Sequence, residues 1–523
     1  MDTRPLNLPN LTRGSALFKF FTTDTGVLLL LALVKLVLHL ATSGGFGYFR
    51  DEFYYMAAGR RLDFGYVDFP PLVALAAALV RESLGESLLA LHFLPSLVGA
   101  VVVFLAGLMA RALGGSRSAQ VMAALSVLIA PQYLGMAAVF NMDSFDLLFW
   151  SACLYVLILI IRDDRPSLWL LFGLMAGLGL FNKITMAYFG FAVVIALLLT
   201  EQRKQFKNKE LYLGGLIALA CLAPYMAWNG AHGWPTLEFW RNYGDKLNPT
   251  NPLSYIFQQI MIMNPGLFPV WLGGLYFVFR PEGKKYRVIG IAYLVLLGIF
   301  MLQNAKNYFL APFYPVLFAL SAVMIDGITG PSRWNWFGPE YVRWTGVVSL
   351  LFLPLTVPVL PREVELRYLS VLGGMIPGTE SHESGDLPQY FADRFGWEEL
   401  TATVAGVYNR LPPEDQAVAC IFADNYGEAG ALAFFGPQYD LPQVISGHNN
   451  YYIWGPGECT GAVLIVVGVD DREELQPVFE SVELAATTSC EYCMPYENTQ
   501  PVFVCRGMRL PIEEAWPMVK TMQ

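Results

Sequence analysis

The stretch Tyr48–Leu72, YFRDEFYYMAAGRRLDFGYVDFPPL, follows directly on a long apolar run. Arg50, Asp51, Glu52, Arg60, Arg61, Asp63 and Asp68 crowd into it, all groups that a bilayer interior rejects. Such a cluster at the mouth of an apolar segment points to a membrane protein that does its polar work at one face. The composition agrees. Of 523 residues, 55% are hydrophobic and 15% charged, a balance rare in soluble domains. The formal net charge is −9, and no basic, aromatic-interleaved stretch offers a nucleic-acid surface, so no nucleic acid is expected as a partner. A basic N-terminus precedes the apolar segment Gly26–Thr42. That segment is long for a signal peptide and lacks a small-residue cleavage site, so it reads as a retained first helix.

Outward from the quoted stretch, spanning helices need about 20 mostly apolar residues. Eleven segments meet this, at about 25–43, 88–110, 119–139, 144–161, 167–181, 185–200, 211–228, 263–280, 287–303, 308–326 and 344–360. Basic residues set the orientation. Arg111 with Arg117, Arg162 with Arg165, EQRKQFKNKE, RPEGKKYR and Arg333 fall in loops on the same side as the basic N-terminus. That side is cytoplasmic, and the quoted stretch faces outside, as does everything after Pro361. The expected organisation is a transmembrane domain over 1–361 with a functional outer loop at 44–87, followed by a small extracytoplasmic α/β domain over 362–523. The expected location is the plasma (inner) membrane, with many passes.

In the tail, AVACIFADNYGEAGALAFF reads as strand, loop and helix, and GAVLIVVGVDD and PVFVCRG as strands. No fixed-period repeat appears. Cys153 and Cys221 fall in spans and read as buried small hydrophobes. Cys420, Cys459, Cys490, Cys493 and Cys505 lie in the tail, where an oxidising compartment permits disulfides. Five is odd, and Cys420, inside a strand, is expected to stay free. CEYC has no second CxxC and no paired histidines to complete a metal site.

Residues 51–61 can form a short amphipathic helix, with Tyr54, Tyr55 and Met56 on lipid and Arg60 and Arg61 near headgroups. Such a helix would hold Asp51 and Glu52 at the interface. Three further turns face outward: FNMDSFD with Asn141, Asp143 and Asp146; FNKIT with Lys183; and QNAKNYFLAPFYP with Lys306, Asn307 and Tyr308. Lys183 and Lys306 oppose the positive-inside bias, which an anion at that surface would explain. A snorkelling lysine is the plainer account of either one alone. Carboxylates can deprotonate a hydroxyl, and cations can stabilise a departing phosphate. A sugar on a prenyl phosphate has both needs. A lipid-linked sugar transporter or flippase is the rival, but it calls for mid-helix charges and broken helices. A binding or assembly protein without chemistry is the third class.

RDEFYYMAAGRRLDFGYVDFPPL, GLGLFNKITM, NGAHGWPTLEF, KNYFLAPFYP, DNYGEAGAL and SGHNNYYIWG together resemble the family 39-type glycosyltransferases, which include protein O-mannosyltransferases and aminoarabinose transferases. The resemblance implies a membrane-embedded GT-C fold and transfer, with inversion, from a polyprenyl-phosphate sugar to an acceptor that is a lipid, glycan or protein. It implies Asp51 as catalytic base and Glu52 as a helper or positioning residue. Asp68 falls in the D-x-P-P-L element, where Phe69 stands in place of a lysine that relatives associate with donor phosphate. Lys183, Lys306 and Arg60 are the candidates for that vacant role. Asp143 matches a second acidic loop position. Arg61, Asn307, Tyr308 and His232 complete the expected substrate-binding set, His232 being the only imidazole expected near the site. Neither a metal nor another cofactor is expected. In the tail, His448, two asparagines and three aromatics suit sugar binding.

Overall fold

The computed structural model describes residues 21–244, 250–329, 337–375 and 385–523. Six helices among them are long and apolar enough to cross a membrane: Asp24–Thr42, Leu88–Ala112, Met142–Asp163, Lys209–Ala231, Lys284–Leu302 and Asn307–Thr329. Two bent pairs, Thr185–Leu198 with Glu201–Lys207 and Pro252–Ile262 with Pro265–Phe279, raise this to eight if each is one span. Arg117–Ile129 and Leu168–Asn182 are apolar but shorter. The protein is a multi-pass membrane protein, and these lengths do not fix the number of spans at eleven.

Small residues bring the helices together. A Cβ added to Gly173 would lie 2.1 Å from Gly214 O, so the Leu168–Asn182 and Lys209–Ala231 helices touch backbone to backbone. The expected span at 119–139 is instead broken. Pro131 lacks an N–H, and Ala130 before it is extended with ψ 123°, so one helix stops at Ile129 and Pro131–Met136 forms a second. Tyr133 O accepts from Ala137 N at 3.3 Å, and buried side chains of the Asp24–Thr42 helix add to the bonding of this short helix. Lys35 Nζ donates to Tyr133 O at 2.9 Å, and His39 Nε2 lies 2.9 Å from Leu134 O. A lysine buried within a span therefore serves the backbone of its neighbour. The last expected span, 344–360, is also irregular: a helix over Phe337–Ser349 tightens to a 3-10 turn at Leu350–Leu355, which contains Pro354.

The basic loops gather at one end of the bundle. Arg117 pairs with Asp24, Lys204 with Asp164, and Lys285 Nζ donates to Arg162 O at 3.0 Å. Arg333 and the N-terminal basic residues lie outside the described residues. At the opposite helix ends His92 and Phe140 bond Glu52 of the Arg50–Arg60 helix, and Phe46 packs on Phe391 and Phe395 of the C-terminal part, which also carries a five-stranded sheet.

That sheet has the order β2-β1-β3-β5-β4, with β1 Ala419–Ala423, β2 Val444–Ile445, β3 Val463–Val467, β4 Phe479–Thr487 and β5 Pro501–Met508. β1 pairs parallel with β2 and β3, while β5 pairs antiparallel with β3 and β4. β3 is buried throughout, which is why it is a continuous apolar run. β4 escapes sequence reading because FESVELAAT leaves most of its side chains outside the core. Cys420 is not free. It is bonded to Cys459 across a Cα–Cα distance of 5.9 Å, because the loop entering β3 returns beside β1. Cys490 bonds Cys493, and the unpaired tail cysteine is Cys505, buried in β5.

The Arg50–Arg60 helix forms, but it does not rest on lipid. Tyr54, Tyr55 and Met56 are 1, 4 and 6% exposed. Tyr54 stacks on Tyr426 of the helix Tyr426–Phe435, Tyr55 packs on Phe69 and Phe140, and Met56 lies near Val80 and Leu91, so the aromatic face meets protein. Arg60 pairs with Glu86 at 2.7 Å, and the Arg61 guanidinium lies 4.6 Å from the Trp454 ring.

Candidate active site

Glu52 fixes the start of the Arg50–Arg60 helix. Its Oε2 accepts from Phe49 N at 2.9 Å, closing the first turn. Its Oε1 accepts from Phe140 N at 2.7 Å and from His92 Nε2 at 2.8 Å. Burial works against charge on this inaccessible carboxyl, but His92, Arg394 and the Phe140 N–H outweigh it and hold the group below the ordinary carboxylate range. One side chain thus ties three pieces together: the outer helix, the Leu88–Ala112 helix and the turn at Phe140. Beyond that turn, Asn141 Oδ1 accepts from Ser144 N at 2.9 Å and caps the Met142–Asp163 helix. Glu52 itself does not line the cavity described next, so it acts as an anchor, and the adjacent Asp51 faces the open space.

A cavity of about 1690 Å³ lies between the helix ends opposite the basic loops and C-terminal residues that include Tyr426, His448 and Tyr496. Asp51, Asp68, Asp143, Lys183, Lys306, Asn307 and Tyr308 all line it. Its apolar wall runs down among the helices past Leu38, Ile129, Trp344 and Phe352. Sequence neighbours alone would not bring the acidic and basic turns together. Packing of the Met142–Asp163 helix against its neighbours does.

Lys183 Nζ pairs with Asp143 Oδ1 and lies 4.3 Å from the Phe309 ring. Lys306 Nζ lies over the rings of Tyr243 and Tyr308, at 5.1 and 5.8 Å. Asn307 is held from both sides: its Nδ2 donates to Gln258 Oε1 at 3.0 Å, and its carbonyl accepts from Gln259 Nε2 at 2.7 Å. Asp68 Oδ1 accepts from the Tyr54 hydroxyl at 3.0 Å. Burial, with Asp51 adding to it, pushes the Asp68 carboxyl up to about 7, so it carries a proton over part of the neutral range. Phe69 fills the place beside it, fully buried and stacked 4.8 Å from Tyr66.

Besides Glu52, three expected residues do not line the cavity: Arg60, Arg61 and His232. His232 stacks 4.4 Å from the Trp228 ring and bonds Trp228 O at 2.8 Å, while Trp228 Nε1 donates to Asp63 Oδ2 at 2.8 Å. It supports the far end of the outer loop. Among the described residues no three His, Cys, Asp or Glu side chains converge as a cation's ligands. The cavity also has lining residues that sequence reading did not bring to the site. Arg50 is one; Tyr426, whose hydroxyl donates to Asp51 Oδ1 at 2.7 Å, is another. In the sequence Tyr426 stands where AVACIFADNYGEAGALAFF passes from strand through loop to helix, and nothing in that stretch names Asp51 as its partner.

Comparison with known proteins follows the same geometry. Residues 68–228 match the family model for dolichyl-phosphate-mannose-protein mannosyltransferase. The crystal structure of ArnT from Cupriavidus metallidurans bound to undecaprenyl phosphate superposes with a TM-score of 0.62 at 16% identity, covering 92% of this chain and 98% of that one. The protein has the GT-C fold. The apo form of the same ArnT gives a TM-score of 0.60 at 16% identity over the same shares of the two chains. The Archaeoglobus fulgidus oligosaccharyltransferase gives 0.47 at 13% identity, covering 82% of this chain and 64% of that one. No curated protein sequence matches the chain. This GT-C protein carries its cavity between membrane helices and its C-terminal part, and the likeness to ArnT covers 92% of the chain.

Proposed function

We propose that the protein is an inverting glycosyltransferase that moves a sugar from a polyprenyl-phosphate donor to an acceptor at the outer face of the plasma (inner) membrane. In this reading residues 1–361 form the transmembrane domain, with its outer loop at 44–87, and residues 362–523 form an extracytoplasmic domain. One observation carries it: a single cavity joins carboxylates (Asp51, Asp68, Asp143), lysines (Lys183, Lys306) and an apolar wall that descends among the spans. A polyprenyl-phosphate sugar offers a matching hydroxyl reaction, phosphate and chain. Undecaprenyl phosphate bound to ArnT supports the donor class.

Asp51 takes the proton of the acceptor hydroxyl as that oxygen bonds to C1 of the sugar. The C1–O bond to phosphate breaks, and its electron pair leaves with the polyprenyl phosphate. Lys306, aided by Lys183, stabilises the growing phosphate charge, while Asn307 and Tyr308 line the donor's place. Lys183 shares its charge with Asp143 before any ligand arrives. Glu52 keeps Asp51 in register. The test is a panel of polyprenyl-phosphate hexoses and pentoses given to the purified full chain. Release of polyprenyl phosphate, with product of anomeric configuration opposite to the donor, is expected. Release with retained configuration contradicts the single displacement, and movement of intact donor across vesicles without release favours a flippase.

A further inference from the structure

Tyr426 is the first residue of the helix Tyr426–Phe435 that follows β1. Its ring is held on several sides. The Tyr54 ring stacks on it at 4.8 Å and 28°, the Arg50 guanidinium lies 5.1 Å from its centroid, and His448 meets it edge-on at 5.0 Å. Arg50 is held in turn, its Nη1 donating to the Tyr496 hydroxyl at 2.8 Å and facing Glu497 at 3.6 Å. The helix behind Tyr426 cannot shift inward. A Cβ on Gly427 would come within 2.6 Å of Arg50 Cγ, and one on Gly430 within 2.7 Å of Phe53 Cβ. Asn425 caps this helix, accepting from Gly427 N and Glu428 N at 2.9 and 3.1 Å. The Tyr426 hydroxyl therefore reaches Asp51 Oδ1 from a fixed platform.

We propose that Tyr426 is a positioning residue for Asp51, supplied by the C-terminal part of the chain, so that this part takes part in the chemistry itself and does more than receive the acceptor. The role given to Asp51 rests on the glycosyl-transfer reading above. Burial and the Asp51 carboxylate both raise the Tyr426 hydroxyl well above its ordinary range, so it stays protonated and donates. A carboxylate has about four lone-pair sites. One hydroxyl bond can fix its plane and still leave it able to accept a substrate proton. A second grip from the same part acts on Asp68: Asn450 N donates to the Tyr54 hydroxyl at 3.1 Å, Tyr54 donates to Asp68, and Asn450 Oδ1 accepts from Val67 N at 2.6 Å. Both outer-loop carboxylates are thus oriented by residues more than three hundred positions away in the chain.

Tyr426→Phe removes the hydroxyl and keeps the stacked ring. In the full chain, turnover of a polyprenyl-phosphate sugar should fall about 10- to 100-fold, the size of a hydrogen bond to a charged group. Apparent donor KM should hold steady, because the bond touches no donor atom. The acidic limb of the pH–rate profile should move to higher pH, since the lost bond favoured the carboxylate form. Turnover and pH profile like the parent's overturn the proposal. Heat unfolding of Asp51→Asn, Tyr426→Phe and the double variant gives a readout that needs no activity. The double variant should lose less than the sum of the singles, and strictly additive losses overturn the contact. A parent inert towards every donor contradicts the glycosyl-transfer reading, while the unfolding cycle still decides whether Tyr426 holds Asp51.

Discussion

Lys183 sits against the Asp143 carboxylate, whereas Lys306 lies over two tyrosine rings. The two lysines should therefore respond differently to loss of charge. Lys306→Met keeps the stem and is expected to lower kcat about 100-fold with little change in donor KM, as loss of a group that stabilises developing charge does. Steady-state kinetics with one active donor check this, and an unchanged kcat removes Lys306 from the leaving-group role. Lys183→Met leaves Asp143 without its cation and should lower the melting temperature, and adding Asp143→Asn should restore part of the loss. If the second change restores nothing, the pair is not what Lys183 serves. Protonation gives a further expectation. Burial pushes Asp68 and Glu428 up to about 7 and raises Glu497 as well, against about 4 for unfolded carboxyls. Their contribution to stability is full below about pH 4 and is lost as pH rises towards 7. Glu52, held low, works the other way: its contribution is present above about pH 4 and is lost as pH falls further. The melting temperature of the full chain should thus decline between about pH 5 and 7, and Glu428→Gln should flatten the decline. An equal slope in that variant contradicts the assignment. At this scale the sequence named the charged residues because charge near a bilayer is conspicuous. It could not separate Asp51, which faces the cavity, from Glu52, which is sealed behind it, because one step along a helix turns a side chain by about 100° and the neighbours that seal Glu52, His92 and Phe140, lie far along the chain.

The contact between the Arg50–Arg60 and Tyr426–Phe435 helices is made by glycines. Gly430→Val would force a branched side chain into Phe53, and overpacking of this kind costs about 1–3 kcal/mol. Turnover should fall along with the melting temperature, although Gly430 does not line the cavity. A variant with normal turnover and melting would show that the two helices need not touch. Helix periodicity and turn residues marked the Arg50–Arg60 helix, β1, β3 and β5 in the sequence. The lipid-facing assignment of Tyr54, Tyr55 and Met56 was mistaken because an amphipathic pattern reports an apolar neighbour without saying whether it is lipid or protein. The break at Pro131 was readable in principle, yet apolar length on both sides masked it. Cys420 looked free because a β1 position says nothing of the loop carrying Cys459.

Across the whole molecule, the helix ends near Asp24, Ala112 and Asp163 share one face with the paired basic loops, and the cavity opens at the other. If the basic face is cytoplasmic, as positive charge favours, a reporter active only in the cytoplasm should stay dark when fused after Gln523. Activity of the reporter would place the sheet and the cavity on the wrong side for an outer-face transferase. The division into helical bundle and α/β tail was legible from where spanning-length apolar runs stop. The cavity was not, because it depends on the Tyr426–Phe435 helix and its neighbouring loops lying over the 44–87 loop, and long-range packing leaves no periodic trace in either segment. The central claim is that Asp51 is the base of a transfer from a polyprenyl-phosphate sugar. The most direct measurement compares release of polyprenyl phosphate by the purified parent and by Asp51→Asn, over the same donor panel and at matched melting behaviour. The account predicts release by the parent with at least one donor and a rate at least about 100-fold lower in the variant; equal rates in the two proteins would contradict it.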